Sequence, residues 1–301
     1  MRNIDEDTIT PAVLAAMAKC GNERLLTVMN SLVRHLHAFA RDVRLTEEEW
    51  HQAIGFLTDV GHITDDRRQE FVLLSDVLGL SMLVTTQNNR KPAACTEATV
   101  LGPFFVNGSP GYENGEDLSN GAKGRPCFVS GRVRGLHGEA VAGAEIEVWQ
   151  SDEDGFYDVQ YTDSQKAGAG HQARGHLRTL PDGRFHFRSI LPEAYPIPHD
   201  GPVGRMLEAL GRHPWRPAHL HFWIKAPGYE PLITHLFRNE DQYLDSDAVF
   251  GVRSSLVVDW VAHPPGIAPD GTAMPSAFHT LDYEFVLNPV SQGQAGDQGR
   301  H

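Results

Sequence analysis

The sequence contains little cysteine and little positive charge. Only three of its 301 residues are cysteine, namely Cys20, Cys95 and Cys127, and none of them forms a CxxC pair. Such an odd and scattered set does not build a disulfide framework, so we expect a protein of the reducing cytoplasm. The 26 basic residues are outnumbered by 39 acidic ones, which gives a formal charge of −13. General nucleic-acid binding and docking on anionic membranes are therefore disfavoured, because both need a basic surface.

The sequence also lacks a long apolar run. The most apolar stretch, 71–84, has 14 residues and contains Ser75, Asp76 and Ser81. It is too short and too polar to span a bilayer, so we expect no membrane insertion. The acidic start of the chain does not have the basic segment and apolar run of a secretory signal peptide. A cytoplasmic location is the prediction.

Residues 10–90 show the spacing of helices. Thr10 followed by Pro11 predicts the start of a first helix, which ends at Gly21. A second helix is predicted because apolar residues recur at spacings of three and four, namely at Leu25, Val28, Met29, Leu32, Val33, Leu36, Phe39 and Val43. These stripes fit the core of a helical bundle, and an oligomer interface or a lipid-sized apolar groove remains the alternative.

Two further helices follow. Thr46 and Glu49 fit a capping box for a third helix that runs to about Leu57. Thr64 can cap a fourth helix, which continues through Phe71, Leu74, Leu78 and Met82.

From Gly102 onward, glycine and proline separate short segments rich in valine, isoleucine and aromatic residues. We predict seven strands, at 127–134, 144–150, 184–190, 219–225, 231–237, 255–262 and 281–287. The sequence Pro181-Asp182-Gly183 is a hairpin signal. The predicted fold class is α+β. A helical domain at residues 1–100 precedes an antiparallel β-sandwich at residues 101–290, and a disordered tail occupies residues 291–301.

The pair His219 and His221 is the sharpest candidate for metal binding. Both imidazoles lie on one face if this segment is a strand, whereas the similar pair His35 and His37 lies in a predicted helix, where the rings diverge. Arg216 precedes the strand pair, and a buried arginine beside a cation needs an anionic partner. The carboxylates nearest to these residues in the sequence, Glu230 and Glu240, sit in turn-like segments.

Tyrosine is the other candidate ligand. Phenolate is a hard oxygen donor that suits Fe³⁺. Tyr157 and Tyr195 each follow a predicted strand, where functional side chains collect. Taken alone, each of them is more simply a half-buried aromatic residue with a bonded hydroxyl.

Several segments together resemble the intradiol ring-cleaving dioxygenases, the catechol and hydroxyquinol 1,2-dioxygenases. They are QEFVLLSDVLGLSMLV (69–84), TEATVLGPFF (96–105), AGAEIEVWQSDEDGFYD (142–158), ILPEAYPIPHDGPVG (190–204), GRHPWRPAHLHFWI (211–224) and YLDSDAVFGVRSSLVVDW (243–260). The resemblance covers nearly the whole chain. It implies a helical linker domain that forms a homodimer and often holds a phospholipid, followed by a sandwich domain with one Fe³⁺ per subunit.

The resemblance also implies roles for residues at matching positions. The iron ligands would be Tyr157, Tyr195, His219 and His221, and Tyr195 would be displaced when an aromatic diol binds. Arg216 would stabilise developing negative charge beside the ring. His235 occupies a position where the catechol branch generally carries glutamine, so a polar group is retained there.

By the same resemblance, the substrate pocket is built largely from apolar residues. They are Leu73, Asp76, Val100, Leu101, Gly102, Pro103, Phe104, Ile197, Pro198 and Val249. Asp76 is the exception, and its carboxylate could accept a hydrogen bond from a third ring hydroxyl. We therefore expect O₂-dependent cleavage of hydroxyquinol (1,2,4-trihydroxybenzene) to 3-hydroxy-cis,cis-muconate or its tautomer maleylacetate. The alternatives are catechol, which would give cis,cis-muconate, and substituted catechols.

Two other functional classes fit parts of the sequence. The segment 131–148 resembles the hairpins of β-sandwich modules that only bind a ligand or act as spacers. Zinc hydrolases also use a pair of histidines on one face of a strand. Neither class has a reason to carry two such tyrosines together with two histidines. The colour of the purified protein separates these classes, because charge transfer from tyrosinate to Fe³⁺ is red-brown and zinc sites are colourless.

Overall fold

The structure is a computed structural model that describes residues 3–65, 68–161 and 170–290. The predicted disorder of residues 291–301 concerns a segment outside the described residues. The chain divides into two compact units, Met1–His62 and Ile63–His301. No single helix among the described residues is long and apolar enough to cross a membrane. The helices Glu70–Val77 and Leu80–Asn88, bent by 78° where they meet, pass that test only as a pair.

The first unit is helical. It contains α1 (Ile9–Ala16), α2 (Glu23–Asp42) and all but the last residue of α3 (Glu47–Ile63). The capping box of α3 is confirmed, because Thr46 Oγ1 accepts from Glu49 N and the Glu49 carboxylate accepts from Thr46 N. Both predicted ends of α1 were wrong, since the helix begins at Ile9 and ends at Ala16 instead of continuing to Gly21. Thr8 precedes the helix, and the Thr10 hydroxyl instead bonds the His37 ring.

The second unit begins with α4 (Glu70–Val77) and α5 (Leu80–Asn88). A single helix capped by Thr64 was predicted over this stretch, and that prediction was wrong. The chain breaks between the two helices at Gly79, whose φ of 75° is in the left-handed region that glycine favours. Helix α4 begins only at Glu70.

Thirteen strands and one further helix are described beyond α5. The helix is α6 (Pro202–Ala209). The strands are β1 (Pro126–Gly135), β2 (Glu145–Gln150), β3 (Arg174–Arg178), β4 (Arg184–Ile190), β5 (Tyr195–Pro196), β6 (Trp215–Arg216), β7 (His219–Lys225), β8 (Leu232–Arg238), β9 (Val257–Val258), β10 (Val261–His263), β11 (Gly266–Ile267), β12 (Ala273–Met274) and β13 (Phe278–Leu287).

Two sheets form a sandwich, which confirms the α+β class. One sheet has the order β10-β13-β1-β4 and the other β3-β2-β7-β8-β9. Most neighbours are antiparallel, while β1 with β13 and β8 with β9 are parallel. Aromatic side chains connect the sheets in the core. The ring of Phe222 lies 4.7 Å from that of Phe285 and 6.4 Å from that of Phe185.

Six predicted strands are present with small shifts at their ends, and three details differ. The predicted strand 255–262 is divided into a 3₁₀ turn (Ser254–Leu256), β9 and β10. Strand β3 was not predicted. Its sequence RGHLR has two arginines and a histidine and lacks the alternation of apolar and polar residues. The turn at 181–183 lies between β3 and β4, which belong to different sheets, so it does not make a hairpin.

Candidate active site

Strand β7 positions the two histidines. Its alternate residues Leu220 and Phe222 point into the core between the sheets, so His219 and His221 share the outer face of the five-stranded sheet. Both histidines are buried. His35 and His37 of α2 engage different partners, the Ser31 carbonyl and the Thr10 hydroxyl. Only the pair on the strand therefore presents two rings to one point.

Two connections bring the tyrosines to this face. Tyr157 precedes a 3₁₀ turn (Asp158–Gln160), and its backbone N–H donates to Gln160 Oε1 at 2.8 Å. Tyr195 belongs to β5, where it pairs with Arg216 of β6 in a two-residue ladder. Both phenol rings are buried, 5.2 Å apart and nearly perpendicular.

The polar atoms of these side chains converge. Tyr157 Oη lies 2.8 Å from His221 Nε2 and 3.4 Å from His219 Nε2, and the two Nε2 atoms are 3.1 Å apart. Atoms that bind one ion at about 2 Å with angles near 90–110° are separated by about 3 Å. The three atoms thus already have the mutual spacing of ligands on a common ion.

Hydrogen bonding prepares His219 for ligation. Its Nδ1 donates to the Pro217 carbonyl at 2.7 Å, which leaves the lone pair on Nε2. Burial, together with the positive charge of Arg216, lowers the pKa of His219 to about 3. Burial and the neighbouring imidazoles lower the pKa of His221 well below its usual value. Both rings are therefore neutral and need lose no proton to bind a cation.

The phenol of Tyr157 shows the opposite effect. Its burial, and next the adjacent Tyr195, raise its pKa well above the usual value for tyrosine. A nearby cation reverses this effect, because it stabilises the phenolate. Two phenols and two neutral imidazoles thus form a donor set that fits Fe³⁺.

Arg216 lies against this cluster and is 2% exposed. Its Nη1 lies 3.3 Å from His219 Nε2 and 3.5 Å from Tyr195 Oη. The carboxylate that compensates its charge is Asp247. From the sequence, Glu230 and Glu240 were the candidate carboxylates. Burial lowers the pKa of Arg216, but Asp247, Tyr195 and Tyr157 together outweigh burial and raise it.

His235 adds a third imidazole. It lies opposite His221 in the β7–β8 register, and its ring centroid is 4.2 Å from that of His221 and 4.7 Å from that of His219. The ligand atoms of the three histidines lie within 4.8 Å of one another, close enough to hold a metal ion. The structure therefore brings His235 to the cluster, although it does not assign the residue a role.

Aromatic residues cover the cluster. Trp149 of β2 stacks on the His221 ring at 4.6 Å between centroids, and Phe104 stacks on Tyr157 at 4.5 Å. A side chain at Gly102 would come within 3.3 Å of the His221 ring. The segment around 100–105 therefore passes close to the histidines.

The other predicted pocket residues occupy several elements of the second unit. Leu73 and Asp76 are buried on α4, and the Asp76 carboxyl interacts electrostatically with Arg216 and Asp247. Val100, Ile197 and Val249 are buried, and Leu101, Pro103 and Pro198 are partly exposed. Phe104 and Asp76 thus have contacts that tie them to the cluster.

Sequence reasoning missed a second buried ion pair, behind Tyr157. Arg174 Nη2 donates to Asp158 Oδ1 at 2.8 Å, and both side chains are almost fully buried. His171 Nδ1 also lies 2.8 Å from Asp158 Oδ2. Asp158 directly follows Tyr157, so this network fixes the backbone that carries the phenol. Asp158 alone did not indicate an ion pair in the sequence, because its partner Arg174 lies on β3, a strand that was not predicted.

Comparisons with known proteins agree with this arrangement. Residues 22–96 match a family described as the catechol dioxygenase N terminus, and residues 100–289 match one described as dioxygenase. A 6-chlorohydroxyquinol 1,2-dioxygenase from Cupriavidus pinatubonensis is 59% identical, over 96% of this chain and 100% of that protein. A hydroxyquinol 1,2-dioxygenase from Nocardioides simplex is 51% identical, over 95% of this chain and 96% of that protein.

A solved structure is similar along nearly the whole chain. It is the hydroxyquinol 1,2-dioxygenase from Pseudomonas putida DLL-E4, with 45% identity and a TM-score of 0.87. The match covers 95% of this chain and 99% of that one.

Proposed function

The chain belongs to the intradiol ring-cleavage dioxygenases, and on that premise we propose that it cleaves hydroxyquinol with O₂ between its two adjacent hydroxylated carbons. The product is 3-hydroxy-cis,cis-muconate or its tautomer maleylacetate, and it contains both oxygen atoms of O₂. One observation supports this most strongly. Two phenols, two neutral imidazoles and an arginine converge in one buried site.

In this proposal Tyr157, Tyr195, His219 and His221 hold one Fe³⁺ per subunit. When bound, Fe³⁺ lowers the pKa of the coordinated hydroxyls and activates the diol toward O₂. The spacing of the Nε2 and Oη atoms and the neutral state of both imidazoles support this ligand set.

The chain's own groups handle the protons. A diol that binds as a dianion must lose two protons; Tyr195 Oη would take up one of them, and the other would pass to solvent. Arg216 Nη1 lies 3.5 Å from that oxygen, so a positive charge faces the point where negative charge develops. His235 lies at the same face with both neighbouring imidazoles, and we assign it to the catalytic group as a polar residue of the later steps.

The choice of hydroxyquinol depends on Asp76. This carboxyl is 4% exposed, and burial raises its pKa. It shares α4 with Leu73, three residues away, so Leu73 can touch the ring while Asp76 reaches its edge. The remaining pocket residues are Val100, Leu101, Gly102, Pro103, Phe104, Ile197, Pro198 and Val249. The names of the similar proteins support this substrate over catechol, which stays the alternative.

The test of the function is an oxygen-uptake assay with hydroxyquinol and catechol side by side. We expect uptake of one O₂ per hydroxyquinol, a higher kcat/KM than for catechol, and a red-brown protein. A colourless protein that binds zinc would contradict the iron site. A coloured protein that prefers catechol would contradict only the choice of substrate.

The assembly is a further part of the proposal. Apolar side chains at Leu25, Val28, Leu32, Leu36, Phe39 and Val43 are 43–55% exposed along α2. We propose that this stripe forms the contact of a homodimer, since a large exposed apolar surface indicates a partner. The same proposal includes a helical domain at 1–100, a catalytic domain at 101–290 and a phospholipid beside the helices. Mass spectrometry of extracted lipid tests the last of these.

The proposed location is cytoplasmic. Cys20, Cys95 and Cys127 are free, as a reducing compartment requires. Cell fractionation tests this assignment.

A further inference from the structure

Asp247 is a buried carboxylate beside the candidate active site, and it contacts Arg216. We infer that Asp247 is a positioning residue, which orients Arg216 so that Nη1 faces the reacting groups. The inference rests on the proposed function, because the orientation matters only if Arg216 acts on the substrate.

The guanidinium has two of its three nitrogens occupied by this carboxylate. Arg216 Nε donates to Asp247 Oδ1 at 3.0 Å, and Nη2 lies 3.3 Å from Oδ2. This bidentate geometry fixes the plane of the guanidinium. Only Nη1 remains, and it is the nitrogen that lies near His219 Nε2 and Tyr195 Oη. The ion pair therefore determines which donor reaches the site.

Asp247 is itself held in place. Its Oδ2 accepts from Gly251 N at 2.8 Å, and its Oδ1 accepts from Val249 N at 3.3 Å. The next residue, Ala248, donates its N–H to the Trp215 carbonyl at 3.1 Å, one residue before Arg216. Two backbone N–H groups of its own turn thus hold the Asp247 carboxylate oxygens. A backbone hydrogen bond joins that turn to the strand that carries Arg216.

Gly251 allows the pair to pack this closely. A Cβ atom at this position would come 2.9 Å from Arg216 Nη2 and 3.2 Å from Asp247 Oδ2. Alanine there must therefore shift the guanidinium or the carboxylate, although it removes no charge. Gly251→Ala and Asp247→Asn disturb the same contact in two different ways.

The charges favour the same role. Arg216 is a buried cation beside a site that would hold a second cation, so its charge needs compensation. Asp76 also interacts electrostatically with Arg216, and burial raises the pKa of its carboxyl. At Asp247, by contrast, burial is outweighed by Arg216 together with the Gly251 backbone N–H, and the pKa of the carboxyl is lowered, so this carboxylate stays ionised. Among the described residues, Asp247 forms the ion pair with Arg216.

The experiment is a double-mutant cycle with Arg216→Ala, Asp247→Asn and the double variant, measured on the iron-loaded enzyme with hydroxyquinol. Asp245→Asn, an exposed change in the same turn, is the matched control. We expect Asp247→Asn and Gly251→Ala to lower kcat by up to about 100-fold, the effect of misplacing a catalytic group by about 1 Å. Iron content and the absorption of the tyrosinate–iron band should stay at the level of the control.

The energetic coupling between Arg216→Ala and Asp247→Asn tests the positioning role. If Asp247 acts only through Arg216, the double variant should match Arg216→Ala within about twofold. Losses that multiply, or a loss of iron and colour in Asp247→Asn, would overturn the positioning role. Asp247→Glu keeps the charge and should recover part of kcat.

Crystal structures of the iron-free variants give a readout that does not depend on turnover. In Asp247→Asn and Gly251→Ala we expect Arg216 Nη1 to have moved away from His219 Nε2. An unmoved Nη1 would overturn the inference. If the wild-type enzyme cleaves no diol, the proposed function fails, and the crystal structures still decide whether Asp247 orients Arg216.

Discussion

Replacing Asp76 should change which diol the enzyme prefers. Asp76 is 4% exposed on α4, and its carboxyl interacts electrostatically with Arg216 beside the cluster. We expect Asp76→Ala to lower kcat/KM for hydroxyquinol, because the third ring hydroxyl loses its acceptor. Catechol has no such hydroxyl, so its kcat/KM should stay unchanged or rise slightly once the carboxyl need not be desolvated against a bare ring edge.

The size of the effect follows from the type of bond. A hydrogen bond to a charged acceptor contributes about 1.5–3 kcal/mol. At about 1.4 kcal/mol per decade, its loss corresponds to a change of roughly 10- to 150-fold in specificity. Asp76→Asn keeps the shape and one acceptor oxygen but removes the charge, so its effect should fall between the wild type and Asp76→Ala.

The assay is oxygen uptake under pseudo-first-order conditions with each diol. The informative quantity is the ratio of the two kcat/KM values, because differences in iron loading cancel. Val72→Ala, an exposed change on the same helix, is the control. An equal loss for both diols would refute the reasoning, since Asp76 would then be structural. Specificity would have to come from elsewhere in the pocket, with Val249 and Ile197 the next positions to test.

Three other predictions follow from the site and the helices. His221→Ala should lose most iron and all colour, whereas Tyr195→Phe should keep most iron and lose turnover; metal analysis and absorption spectra check both, and full iron in His221→Ala would contradict the ligand set. Iron-free protein should lose stability as the pH falls. The pKa of His219 is about 3 when folded and about 6.5 when unfolded, so the unfolded chain binds more protons below pH 6.5. Denaturant titrations should show a loss of about 2 kcal/mol from this residue between pH 7 and pH 5, and a flat profile would contradict its neutral burial. Leu32→Glu, on the exposed stripe of α2, should give monomers in sedimentation velocity, whereas Arg34→Ala on the same helix should not; dimers in both would rule out this stripe.

The sequence predicted the parts of the fold that are governed by local patterns. Helix α2, the capping box at Thr46 and the strand that carries His219 and His221 all depend on residues close together in the chain. The two-residue spacing of these histidines predicted that they share a face, because side chains alternate along a strand. The prediction that the apolar stripe of α2 forms a bundle core was wrong, because none of the described residues of α2 is buried.

The missed features depend on contacts distant in sequence. Asp247 is 31 residues from Arg216, and nothing in the sequence favoured it over the acidic residues that lie nearer to Arg216. Arg174 lies on a strand that has no apolar alternation, so neither β3 nor its ion pair with Asp158 could be predicted. The break between α4 and α5 was missed because the apolar spacing continues through Gly79. In each case tertiary packing, and not local propensity, decides the structure.

The central claim is that this site inserts both oxygen atoms of O₂ into hydroxyquinol. The most direct measurement is a turnover under ¹⁸O₂, with the product analysed by mass spectrometry immediately after quenching. We predict a ring-opened dicarboxylate about four mass units heavier than the product formed under ordinary O₂. A product with one heavy oxygen or none, or hydroxyquinol recovered intact from an iron-loaded enzyme, would contradict the account.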